Sequence, residues 1–147
     1  MHIRVHREQL IHALVKVGGV IERRQTLPIL GNLHIHADLD RLTLTGTDRE
    51  VEIRTHLECS VLEPGDITVP ARKFIDIARS LPEDVEIGVR VSNQRATITA
   101  GRSRFNLSTL PAEDYPMMDL ESGDLRVEID QSVFKELLDK TAFAMAN

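Results

Sequence analysis

The chain has 147 residues, room for one domain and a piece of another, and its 41% hydrophobic and 28% charged content is that of an ordinary globular protein. A formal net charge of −5 argues against a surface coated in basic residues, although a local basic patch can coexist with an acidic remainder. A single cysteine, Cys59, excludes an intrachain disulfide and fits a reducing cytosol, and no apolar run approaches a membrane-spanning length.

The first residues, "MHIRVH", alternate instead of forming the apolar core of a signal peptide. They predict a short strand with Ile3 and Val5 on one face. "REQLIHALVKVGGVI" follows with Leu10, Ile11, Leu14, Val15 and Val17 near helical spacing, and Gly18-Gly19 is a plausible stop. Glu8, Gln9, His12 and Lys16 lie away from that stripe. A polar loop, "ERRQTLP", leads to three stretches of period two: Leu33, Ile35 and Ala37; Leu42 and Leu44; then Val51, Ile53, Thr55 and Leu57. "DLDR" and "GTDRE" are their turns, and "EPGD" is a further turn before the short strand "ITVP".

"ARKFIDIARSLP" predicts a second helix. Phe74, Ile75, Ile77, Ala78 and Leu81 share one side, Arg72, Lys73, Asp76 and Arg79 lie elsewhere, and Pro82 ends it. Three more alternating strands follow, "VEIGVRV", "RATITA" and "RFNLST". The acidic, aperiodic "LPAEDYPMMDLESGD" reads as a loop and domain boundary. The tail repeats the opening pattern: Val127 and Ile129 match Ile3 and Val5, and Phe134, Leu138 and Lys140 match Leu10, Leu14 and Lys16. The expected fold class is α+β, with two helices on one face of a mostly antiparallel sheet. One domain spans residues 1–119, and the first elements of a second, truncated domain span residues 120–147.

The charges are segregated. Between Val89 and Leu110 stand Arg90, Arg95, Arg102 and Arg104 with no acidic residue. Alternation places Arg102 and Arg104 on one strand face, with Ser103, Phe105 and Leu107 on the other. Such a strand can pack its apolar side and still offer a cationic ridge at a subunit joint. Charged strands also serve simply to protect a sheet edge, and basic helix faces are often only solvated. Catalytic patterns are poor: no Walker A loop, no G-x-G-x-x-G, no C-x-x-C and no G-x-S-x-G. His34 and His36 share a strand face and could contribute to a metal site, but no third ligand is evident nearby. "TDREVE" could hold a carboxylate pair, but a hairpin turn with a charged outer edge explains it at least as well.

Three segments carry a family likeness: "RRQTLPILGN" with "LTLTGTD", then "TVPARKFIDIARSLP", then "GRSRFNLSTLPAEDYP". In this order they resemble the first domain of the bacterial replicative sliding clamp, the β subunit of DNA polymerase III, and residues 125–147 resemble the start of its second domain. The resemblance implies a non-enzymatic processivity factor without cofactors. It further implies a cytoplasmic head-to-tail dimer whose six domains would ring duplex DNA, helices inward. Arg24 matches a family position that contacts DNA; Arg23, His12, Lys16, Arg72 and Arg79 follow from facing and charge, and His12 stands where some members carry lysine. Lys73, Arg95, Arg102 and Arg104 would face acids of the other subunit, with Phe105 and Leu107 as the apolar part of that joint. Arg90 receives no role. The family's pocket for polymerase and clamp-loader peptides lies beyond these residues, and a chain ending at Asn147 is expected to be a fragment unable to close the ring alone. The alternative is a protein-interaction module that keeps the fold for subunit pairing without DNA. A metal enzyme built on His34 and His36 is the second rival.

Overall fold

Over residues 1–21, 27–118 and 127–145, which the computed structural model describes, alternation and helical spacing become the following elements in chain order. Strand β1 (His2–His6) runs straight into helix α1 (Arg7–Gly18). Strands β2 (Asn32–Asp38), β3 (Arg41–Thr47), β4 (Glu52–Glu58), β5 (Ser60–Glu63) and β6 (Gly65–Pro70) follow. Helix α2 (Ala71–Ser80) precedes β7 (Glu86–Ser92), β8 (Arg95–Ala100) and β9 (Ser103–Ser108), and helix α3 (Gln131–Thr141) comes last.

The strands form two sheets, not one. Their orders are β5-β1-β7-β8-β9 and β4-β3-β2-β6, with every pairing antiparallel. The inner faces of both sheets and the apolar stripes of α1 and α2 share one aliphatic core. Ile3, Val5, Ile87, Val89 and Ile98 come from the first sheet; Leu33, Ile35, Leu42, Leu44 and Val69 come from the second. Leu10, Leu14 and Val17 enter from α1, and Phe74 and Ala78 from α2. The two helices lie against each other on that inner side. They meet where a Cβ on Gly18 would stand 3.0 Å from Ile75 Cδ1, so the small residue permits the approach. The start of α1 is tied to the end of α2: the Arg7 side chain donates to the carbonyls of Ala78 (2.9 Å) and Arg79 (3.1 Å). It thereby satisfies carbonyls that a helix end leaves free.

The architecture contains an internal duplication. Strand, helix and three strands occur twice, as β1-α1-β2-β3-β4 and β6-α2-β7-β8-β9. Each first strand pairs with the second strand of the other half, β1 with β7 and β6 with β2. Each half then crosses to the other sheet in the same way. Cys59 N–H donates to Asp40 O (2.9 Å) before β5 joins β1, and Thr109 N–H donates to Gln94 O (3.0 Å) before Leu110 pairs with Thr68 of β6. The duplication makes β4 and β9 equivalent outer edges.

The tail departs from expectation in one respect. Its helix forms as α3, capped by Asp130 accepting from Ser132 N–H at 2.8 Å, but residues 127–130 are not a strand. A strand is stable only on a sheet edge, and no described edge receives this one. Val133, Phe134, Leu137 and Leu138 along α3 are each about half exposed.

Candidate nucleic-acid face and sheet border

The helix pair presents its polar side away from the core. His12 and Lys16 on α1, and Arg72, Lys73 and Arg79 on α2, are all exposed. Glu8 and Asp76 are the exposed carboxylates of these two helices. Lys16, Arg72 and Arg79 make no ion pair among the described residues. The two helices thus bring His12, Lys16, Arg72 and Arg79 onto one layer, as their spacing predicts. Between them lies a groove of about 350 Å³ lined by Val15, Gly18, Gly19, Arg72, Ile75 and Arg79. Arg23 and Arg24 lie outside the described residues.

The second basic region is the border strand. β9 is the last strand of its sheet, and register places Arg95 opposite Ser108, Thr97 opposite Asn106 and Thr99 opposite Arg104. These side chains share the outer face. Thr97 Oγ1 donates to Asn106 Oδ1 at 2.9 Å, forming a polar floor flanked by Arg95 and Arg104. Arg90 stands in the same row as Thr97 and Asn106, one strand further in. Arg102 is not in the strand: it belongs to the two-residue turn after Ala100, where Gly101 takes φ +56°. A tight hairpin needs such a backbone, and it removes Arg102 from the alternation while leaving it exposed at the border. Lys73 lies in the first turn of α2, which packs against β9. The inner side of β9 is less available. Leu107 is 7% exposed and committed to this chain's own core, whereas Phe105 is half-buried and keeps free surface.

The histidine pair has a structural explanation that sequence reading did not reach. Residues 109–118 cross the outer face of the second sheet as a strap. Thr68 and Leu110 exchange backbone hydrogen bonds (3.2 and 3.3 Å), and Met118 N–H donates to Glu52 Oε2 (2.9 Å). Between these ties Tyr115 is buried. Its hydroxyl accepts from Thr47 N–H (3.2 Å) and lies 3.3 Å from Thr45 O and 3.4 Å from Asn32 O. Burial pushes its pKa up to about 12, opposed by the Thr47 N–H and helped by the Glu52 charge, so the phenol remains a donor at neutral pH. The strap buries Asn32, His34, Thr45, Thr47 and Thr68 on that outer face.

His34 Nε2 lies 2.6 Å from Asp66 Oδ1, and His36 Nδ1 lies 3.2 Å from Asp66 Oδ2. The His34 ring stacks obliquely on Tyr115, with centroids 5.4 Å apart. Among the described residues no three His, Cys, Asp or Glu side chains are placed to hold a metal ion. Burial lowers the His34 pKa, against the pull of Asp66; His36 and Arg54 lower it further and Glu52 raises it. Geometry agrees: buried Nδ1 has no hydrogen-bond partner, so a proton there would be left unsatisfied. The unfolded chain takes up a proton on His34 near pH 6.5, whereas the folded chain resists it. The stability linked to neutral His34 is therefore complete above about pH 6.5 and declines as the pH falls toward the lower folded-state pKa. Urea titrations at pH 7.5 and 5 are expected to show this decline, and His34→Gln to reduce it. An equal decline in the variant would refute the assignment.

Comparison with known proteins agrees with the fold. The family model described as "DNA polymerase III beta subunit, N-terminal domain" matches residues 1–119. The beta sliding clamp of Pseudomonas aeruginosa is 52% identical over 99% of this chain, and that of Escherichia coli is 45% identical over all of it; each match covers 40% of the relative. A crystal structure of the Pseudomonas aeruginosa DnaN sliding clamp bound to griselimycin superposes with a TM-score of 0.94 at 50% identity. Caulobacter crescentus pol III beta superposes at 0.96 with 39% identity; both cover all of this chain and 40% of the solved one. The chain thus spans about two fifths of the length of these relatives. It belongs to the DNA polymerase III β subunit, or beta sliding clamp, family.

Proposed function

We propose that this chain is the first domain, residues 1–119, and the beginning of the second, residues 120–147, of a ring subunit that encircles duplex DNA and tethers a replicative polymerase. The role is mechanical and non-enzymatic. Arg24, Arg23, His12, Lys16, Arg72 and Arg79 would face the phosphates. Such contacts carry no sequence information and weaken with salt, so the ring slides while topology keeps it on the duplex. A polymerase held to that ring meets the primer end at a high effective concentration. Lys73, Arg95, Arg102, Arg104 and Phe105 would form the joint with another subunit in a head-to-tail dimer, with a minor share from Leu107. Polymerase and loader would bind a peptide pocket beyond these residues. The reading places the protein in the cytoplasm; no described helix is long and apolar enough to cross a membrane.

The observation that carries this reading is the helix pair, side by side on one layer with Lys16, Arg72 and Arg79 exposed and without an ion pair among the described residues. Its test is charge reversal. Lys16→Glu with Arg79→Glu is expected to weaken binding of the chain to a labelled short duplex. It should also flatten the dependence of log affinity on log salt by about 2, one unit per lost phosphate contact. Self-association should not change. Unchanged duplex binding would favour the rival, a subunit-pairing module with no DNA role.

A further inference from the structure

We propose that Arg49, at the tip of the β3–β4 hairpin, is a further phosphate contact; the inference rests on the reading of the helix layer as the DNA-facing side. Its backbone is the first observation. Arg49 has φ +80°, while the other non-glycine residues of positive φ, Leu39, Asp84, Asn93 and Gln94, lie between 50° and 56°. A residue with a Cβ is disfavoured there, and such strain persists only where the surroundings impose it.

The surroundings do impose it, without using the arginine side chain. Thr47 Oγ1 accepts from Arg49 N–H (3.0 Å) and donates to Val51 O (2.9 Å). Asp48 Oδ1 accepts from Glu50 N–H (2.9 Å) and Val51 N–H (2.7 Å), and these bonds hold its carboxyl below the usual carboxylate range. Every one of these bonds would survive with glycine at position 49. The guanidinium is exposed and has no hydrogen-bond or carboxylate partner among the described residues. The turn alone therefore gives no reason for a long cationic side chain.

Its position gives one. Gly46, three residues earlier, lies against the end of α1: a Cβ there would stand 2.9 Å from Val17 O, 3.0 Å from Val20 Cγ1 and 3.2 Å from Ile21 Cδ1. Gly46 thus brings the hairpin against the end of α1 that carries Lys16, and on this proposal the exposed Arg49 would extend that basic layer. The nearby carboxylates are mostly engaged. Asp48 is turned into the loop, and Glu52 is taken by Arg54 (2.7 Å) and Met118 N–H (2.9 Å). Glu50 is exposed, and its charge opposes an anionic ligand.

The test uses two substitutions and two readouts on the 147-residue chain, with a labelled blunt duplex as probe. Arg49→Glu is expected to weaken duplex binding several-fold at low salt and to reduce the salt slope by about 1. Arg49→Gly is expected to weaken binding while raising the melting temperature, because glycine relieves the strain. If Lys16→Glu and Arg79→Glu weaken binding but neither Arg49 variant does, this inference is wrong and the helix-layer reading stands. If none of the four weakens binding, both fall. A lower melting temperature for Arg49→Gly would also overturn the proposal, since the turn would then need the arginine for stability.

Discussion

Replacing Tyr115 with alanine is expected to destabilise the domain by about 3–5 kcal/mol, the usual range for removing a buried aromatic side chain. Three losses coincide there. The ring leaves its place against His34, the hydroxyl no longer accepts from Thr47 N–H, and the carbonyls of Thr45 and Asn32 lose a donor. Buried polar residues beneath the strap, among them Thr68 and Asn32, would then meet water through a gap of irregular shape. Tyr115→Phe keeps the ring and removes the hydroxyl, so about 1–2 kcal/mol is expected. Urea denaturation of the three proteins gives both values. The chain has one tyrosine and no tryptophan, so tyrosine fluorescence reports on the strap alone. It should change in the same transition as the circular dichroism if strap and sheets unfold together. Equal stability of Tyr115→Ala and the parent chain would show that the strap is only draped over the sheet.

That strap marks the boundary of what the sequence discloses. Alternation finds β1, the hairpin strands and β7 to β9, and helical spacing finds α1 and α2, because each element buries one regular face. Period two also puts His34 on the face opposite Leu33 and Ile35. It does not reveal that residues 109–118 return to cover the His34 face, since an aperiodic stretch anchors through a few side chains and backbone bonds rather than a repeating face. The same reasoning explains why one expected sheet became two. Neither Cys59 nor Thr109 breaks the local alternation, yet each is where the chain leaves one sheet for the other, a switch fixed by the partner carbonyls of Asp40 and Gln94. Charge segregation was legible as well. Alternation also put Leu107 on the packed side of its strand, where it is buried. That Arg102 sits in a turn was not legible, because it depends on where the β8–β9 hairpin closes.

The border strand supports the other large expectation. In a subunit of full family length carrying these residues, Arg95→Glu with Arg104→Glu is expected to weaken subunit pairing roughly a thousandfold, about 4 kcal/mol for two reversals that set like charges face to face. The folded domain itself should be nearly indifferent. Both arginines are exposed and neither pairs with a carboxylate among the described residues. Surface changes of that kind usually alter stability by no more than about 0.5 kcal/mol. Leu107→Ala provides the contrast. Its side chain is in the core, so it should lower stability by about 2–5 kcal/mol whether or not the subunits pair. Sedimentation equilibrium beside thermal melting separates the two classes of effect. A double reversal that leaves the dimer intact would mean that the cationic ridge protects a free sheet edge from promiscuous pairing. Repair of the dimer by acid-to-lysine changes on the opposing surface would identify the joint directly, because only residues that face each other can restore the lost attraction.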